Sequence, residues 1–254
     1  MSLSVTAVHW EAFLLVLVRT ASMLMVAPAF GAKPIPMQVR VGLAAFLAML
    51  LTPLQEVDGP LLTDAVSILL LVSKELLVGL LMGFAGTLVF SAVHMATQLM
   101  GVQIGYSFSN TVDPMAGHST GFLDTFYNML AMVLFLGLGG HHALILALAN
   151  SYQVVPMGGF GPSGAMAQSL VLLAATAFGV AIKLAMPIVG TMLLADSAMA
   201  LVVRSIPQMN IFMVGIPIKM VLGIVMMIAL IPMMVAGIGD ISRNVATAAV
   251  GVLH

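Results

Sequence analysis

Long runs of apolar residues, separated by short clusters of proline, glycine and charge, dominate the chain. They cover residues 10–30, 41–54, 61–103, 165–203 and 212–238, and a charge-free region at 125–182 is divided by the breaks "LGLGGHH" and "PMGGFGPSG". A helix needs about 20 mainly apolar residues to cross a bilayer, whereas a barrel strand shows about ten alternating ones. The pattern therefore predicts an all-α membrane-complex protein with about six hydrophobic helical segments in one domain. The run 61–103 predicts two helices or one long bent helix, and the last run predicts a helix that ends near residue 238 before a short tail.

Composition narrows the class of protein and the kinds of site that it can hold. Of 254 residues, 61% are hydrophobic and only 7% are charged, and the mean hydropathy is +1.17. These values lie far outside those of soluble domains. The net charge of -1 excludes a basic surface for nucleic acid, and the absence of cysteine excludes disulfides and thiolate metal sites. We expect no nucleic acid partner, no metal and no cofactor.

A few charged residues interrupt the apolar runs. An ionised side chain at a bilayer centre costs about 2.5–3.5 kcal/mol, so each should face protein or water. Lys183 and Asp196 are thirteen residues apart, on nearly opposite faces of a continuous helix, so the partner of each should lie elsewhere in this chain or in another. The candidates for interface or ion-pair residues are Arg19, Arg40, Lys183, Asp196 and Arg204.

Glycines recur at helical spacing in the long run that ends at residue 103 and just beyond it. Small residues four apart allow two helix backbones to approach closely. The predicted helix-packing glycines are Gly79, Gly83, Gly86, Gly101 and Gly105. We expect these faces to contact protein, either in this chain or in a neighbouring subunit, rather than lipid.

A polar insert, "GVQIGYSFSNTVDPMAGHSTGF", lies between two apolar regions. Irregular backbone at membrane depth must be buried in protein or line an aqueous cavity. The insert contains G-x-S-x-G around Ser119, which is also the nucleophile elbow of serine hydrolases. That elbow joins a strand to a helix in an α/β sheet, which this pattern does not predict. We therefore expect no catalytic residue. Two alternatives stay open: a rhomboid-like protease that uses Ser119 with His141 or His142, and a transporter or channel that uses Lys183, Asp196 and Arg204.

Four blocks, in order and over almost the whole chain, resemble a known family. They are "APAFGAKPIPMQVRVGLA" after Arg19, "GLLMGF" with "GVQIGYSFSNTVDP", "LFLGLGGHHALILALANSYQVVPMG", and "AMPIVGTMLLADSAMALVVRSIPQMNIFMVGIPIKM". The chain resembles the FliR/SctT family of type III export-gate proteins, and within it the flagellar FliR branch.

The resemblance implies a non-enzymatic subunit that helps to form and plug the pore through which unfolded flagellar proteins cross the bacterial inner membrane at the basal body. It implies bent helical hairpins, with a FliP-like part at about 1–160 and a FliQ-like part at about 161–254. It implies FliP-like, FliQ-like and FlhB-like partners. Its pore plug corresponds to about 104–120, and the plug candidates are Gln103, Tyr106, Phe108, Asn110, Asp113, Pro114 and Met115. The energy for export is expected from another protein, because the sequence contains no P-loop motif.

Overall fold

Helices make up every regular element in the computed structural model, which describes residues 2–31, 35–55, 64–105, 122–208 and 211–253. The helices are α1 (Ser2–Val26), α2 (Met37–Leu51), α3 (Ala65–Ile104), α4 (Phe122–Gly137), α5 (Gly140–Val154), α6 (Gly164–Ser205) and α7 (Ile211–Gly251), with a short 3-10 helix at Thr52–Leu54. The predicted all-α class is confirmed.

The number of membrane-type segments also agrees with the prediction. Within the described ranges, five helices are long and apolar enough to cross a membrane, namely α1, the α2 segment, α3, α6 and α7. The pair formed by α4 and α5 adds a sixth if it acts as one span, and it bends by 61° at the first glycine-rich break. The second break separates α5 from α6. Hydropathy therefore located the segments correctly.

Two helices resolve or correct the predicted boundaries. The run 61–103 forms one continuous helix, α3, of 40 residues. The expectation that the last helix ends near residue 238 was wrong, because α7 continues to Gly251. Its final turns carry the good helix former alanine, and Val245 and Ala249 are buried. The end of the apolar run near residue 238 marks the end of the membrane-type surface of α7, whereas the helix itself continues with both buried and exposed positions.

The chain divides into two compact units that interleave along the sequence. The first unit comprises Met1–Phe90, Leu138–Ala175 and Ile241–His254, and the second comprises Ser91–Gly137 and Thr176–Asp240. The division into FliP-like and FliQ-like parts near residue 160 stays a prediction.

Each unit has its own packed interior. In the first, Leu24 of α1 and Leu47 of α2 are buried in a cluster to which Ile145 of α5 is added. In the second, Leu184 of α6 lies 3.1 Å from where a side chain on Gly237 of α7 would begin. The buried faces of α1 and of α6 are thereby fixed, which also determines the faces that stay open.

Candidate functional site

A fully buried ion pair lies inside the first unit. Arg19, in the middle of α1, and Glu75, early in α3, are both 0% exposed. The Arg19 Nε donates to Glu75 Oε2 at 2.6 Å, and Nη2 donates to Glu75 Oε1 at 3.1 Å. This is the two-pronged geometry in which a planar guanidinium matches a carboxylate. The charge that the sequence places inside α1 is neutralised within the chain.

The remaining guanidinium protons reach the end of α5. Nη1 donates to Ser151 Oγ at 3.1 Å, and both Nη1 and Nη2 donate to the carbonyl oxygen of Val155 at 3.1 Å. Together with the two bonds to Glu75, these contacts use all five N–H donors of Arg19. The guanidinium carbon also lies 4.0 Å from the ring centroid of Tyr152, in cation–π geometry. Arg19 thus joins α1, α3 and the C-terminal end of α5.

The loop after α5 is held by Glu75 and by its neighbour on α3, Lys74. The backbone N–H of Gly158 donates to Glu75 Oε1 at 2.8 Å, and Lys74 Nζ donates to the Gly158 carbonyl at 3.0 Å. Gly158 has φ +72, and a side chain there would meet Leu71. Only glycine fits such a left-handed, tightly approached position without strain. The sequence "PMGG" therefore supplies the turn that closes over the ion pair.

Two of the predicted packing glycines bring α1 and α3 close enough for this pair to form. A Cβ on Gly79 would overlap the Ser22 hydroxyl and the Arg19 carbonyl, and one on Gly83 would lie 2.7 Å from the Met23 carbonyl. One turn further on, Thr87 Oγ1 donates to the Val26 carbonyl at 2.7 Å. Glu75, Gly79 and Gly83 are spaced by four, so they share one face of α3. That face combines close backbone approach with a buried charge.

The other predicted glycines differ in their surroundings. A Cβ on Gly86 would lie 3.2 Å from Pro28 and 3.4 Å from Leu144, which is ordinary to tight packing. Gly101 is buried, whereas Gly105 has φ +91, and a Cβ on it would meet no described residue within 4 Å. Gly105 thus ends α3 in the left-handed conformation that is common after helices.

Comparison with known proteins gives this helical architecture a family. The family model for bacterial export proteins, family 1, matches residues 10–245. The chain belongs to this family.

Curated members of the export protein family resemble the chain along most of their length. The flagellar biosynthetic protein FliR of Bacillus subtilis is 30% identical over 86% of this chain and 85% of its own. FliR of Escherichia coli K12 is 30% identical over 91% and 90%, and FliR of Caulobacter vibrioides is 31% identical over 83% and 84%. The chain is thus a membrane-embedded component of flagellar export, with the apolar helices that such a location requires.

Charged residues outside the buried pair lie in the second unit or near the surface. Asp196 of α6 pairs with Lys219 of α7 at 2.5 Å, and both side chains are partly exposed. Arg40 is half-buried on α2. Lys183 and Arg204, both exposed on α6, form no ion pair with other residues in the described part of the chain.

Sequence reasoning did not name Glu75, which pairs with Arg19, or Lys219, which pairs with Asp196. The signal that could have identified them is a charged residue within an apolar helix. Glu75, which follows Lys74, and Lys219 are charges in otherwise apolar helices, and such a charge requires an opposite one. Spacing alone does not show which helix supplies it, since 56 residues separate Arg19 from Glu75.

The predicted plug falls almost entirely outside the described residues. This holds for Tyr106, Phe108, Asn110, Asp113, Pro114 and Met115, and for the elbow residue Ser119. Gln103 is half-buried in the last turn of α3. His141 and His142 begin α5 with their ring centroids 4.1 Å apart.

Proposed function

We propose that this member of the export protein family is a structural and gating subunit of the type III export apparatus, located in the bacterial inner membrane at the flagellar basal body. It helps to form the pore through which unfolded flagellar proteins leave the cytoplasm. The observation that carries this proposal is the family match at 10–245, together with FliR relatives that align over nearly their full length.

Apolar surface that the chain does not cover itself supports a role inside a larger assembly. In the apolar 18-residue segments of α1 and α3 that could cross a membrane, 44% of the residues are buried, whereas in those of α6 and α7 only 22% are buried. Large apolar side chains are exposed along α6 and α7, among them Phe178, Leu194 and Val221. We propose that FliP-like and FliQ-like subunits, with an FlhB-like subunit nearby, cover much of this surface.

Co-purification tests the proposal directly. An affinity-tagged chain, co-expressed with the other export-gate subunits and extracted in mild detergent, should elute as a large hetero-oligomer that contains FliP-like and FliQ-like proteins. A transporter or an intramembrane protease should elute alone or as a small homo-oligomer. Elution of the tagged chain by itself, with the other subunits present in the membrane, would contradict the proposal.

The gating part of the proposal assigns a plug to residues 104–120. Replacing Gly105 to Thr120 with a Gly-Ser segment of equal length should leave the hetero-oligomer intact, because the buried ion pair and the glycine contacts of α3 lie outside the replaced segment. The closed gate should then leak, and the rise in permeability to ions or small molecules can be measured in whole cells or in liposomes. As a control in an exposed loop, a Gly-Ser replacement of residues 161–163, before α6, should leave the closed gate tight. Normal assembly without any leak would sink the plug assignment.

A further inference from the structure

The face of α6 around Lys183 carries an exposed cation in apolar surroundings. Lys183 is exposed and has no ion pair or hydrogen bond with other described residues, although α6 is apolar enough to cross a membrane. Its helical neighbours Ile182 and Met186 are exposed too. An ammonium group in such an apolar face is costly unless an opposite charge or water meets it. Within the described residues, this charge therefore has no counter-charge.

The geometry of the same face favours close approach by another helix. Gly179, Lys183, Met186 and Gly190 follow one another at steps of four, three and four, so they form one stripe along α6, here called the Lys183 stripe. A Cβ on Gly179 or Gly190 would meet no atom of the described residues within 4 Å. The opposite side of α6 is occupied, since Ala181, Leu184 and Ile188 are buried. The Lys183 stripe thus has a glycine at each end, and no described residue packs closely against either glycine.

We propose that the Lys183 stripe docks an apolar helix of a neighbouring export-gate subunit, and that this helix carries a carboxylate that pairs with Lys183. The inference rests on the proposed function, because it requires other subunits beside this chain. Charge complementarity selects an acidic partner. The glycines on both sides of Lys183 favour a helix over lipid as the occupant. Small residues are needed where two helix backbones approach closely, whereas contact with acyl chains does not require them.

Charge variants of Lys183 test the ion pair. In the co-purification described above, Lys183→Glu and Lys183→Gln should reduce the neighbouring subunit per tagged chain by at least about tenfold, since an unpaired buried charge remains on the partner. Lys183→Arg should retain it. Because Lys183 contacts no other described residue through its charge, all three variants should be extracted at the level of the unmodified chain. Retention of the subunit by Lys183→Glu would overturn the inference.

Steric variants test the docking of a helix independently of charge. Gly179→Leu should lower co-purification as Lys183→Glu does, whereas Ala174→Leu should not, because Ala174 is exposed nine residues before Lys183 on the opposite side of α6. A photo-crosslinker at Met186 identifies the occupant. An adduct with a different subunit supports the inference, and an adduct with a second copy, or with phospholipid alone, overturns it. If the unmodified chain elutes alone, the proposed function fails and this inference fails with it. If the unmodified chain elutes with the other subunits and the Lys183 and Gly179 variants do so equally well, the proposed function stands and only this inference fails.

Discussion

At the scale of single residues, the Arg19–Glu75 pair shows how a full charge survives in an apolar interior. Transferring two ions out of water costs several kcal/mol each, and attraction alone does not always offset that cost. Here every guanidinium N–H has an acceptor, and Glu75 accepts from Arg19 and from Gly158. The pair is therefore more a device for fixing which elements meet than a large net source of stability.

Removing one member of this pair should be far more damaging than removing both. Glu75→Leu leaves the Arg19 cation buried, so we expect a loss of about 3–5 kcal/mol in the free energy of unfolding, measured by SDS titration of the purified protein in mixed micelles. The double variant Arg19→Leu with Glu75→Leu should lose less than the sum of the two single variants. Lys74→Met, at the adjacent position, removes one hydrogen bond to the same loop and should cost about 1 kcal/mol. Additive losses in the double variant would show that the two side chains do not interact.

At the scale of helices, sequence periodicity predicted where the helices lie and which face makes contact, but it did not predict which helices pair. The hydrophobic runs located the helices, and glycine spacing marked the face of α3 that contacts α1. The charge rule marked Arg19 as a residue that needs a partner. It could not select Glu75, because periodicity gives the face of a helix on which a residue lies and not the helix that faces it. The end of α7 was misplaced because hydropathy follows the apolar surface and not the helix, and the last turns of α7 are helical but less apolar.

Two glycines should respond oppositely to the same substitution, because only one of them lies in the close contact between α1 and α3. Gly79→Ala places a Cβ against the Arg19 carbonyl, so overpacking should lower stability by about 1–3 kcal/mol. Gly42→Ala, in the interior of α2, places a Cβ that meets no described residue within 4 Å, and it should raise stability by up to about 1 kcal/mol because alanine favours helix. The same micelle titration measures both. Equal effects at the two positions would contradict the close packing of α1 on α3.

At the scale of the whole molecule, the lengths of three helices exceed what a membrane requires. α3, α6 and α7 contain 40, 42 and 41 residues. At 1.5 Å per residue, each has a contour length of about 60 Å, about twice the hydrocarbon thickness of a bilayer. Exposed apolar side chains nevertheless continue along α6, from Val171 to Val202. Lipid alone cannot cover such a length, so we expect protein neighbours to cover the remainder.

Cysteine accessibility can separate protection by protein from protection by lipid, and the absence of native cysteine leaves no background to remove. Single cysteines at Val171, Ile182, Leu194 and Val202 replace exposed residues along more than 30 positions of α6. With the chain expressed alone, a membrane-impermeant maleimide should label at least one end of this series, because a bilayer protects only about 20 residues of a helix. With the other export-gate subunits co-expressed, all four positions should be protected, and urea extraction of the membranes should restore labelling at the same end. If the neighbours leave the pattern unchanged, α6 is an ordinary lipid-covered span and its apolar length has another cause.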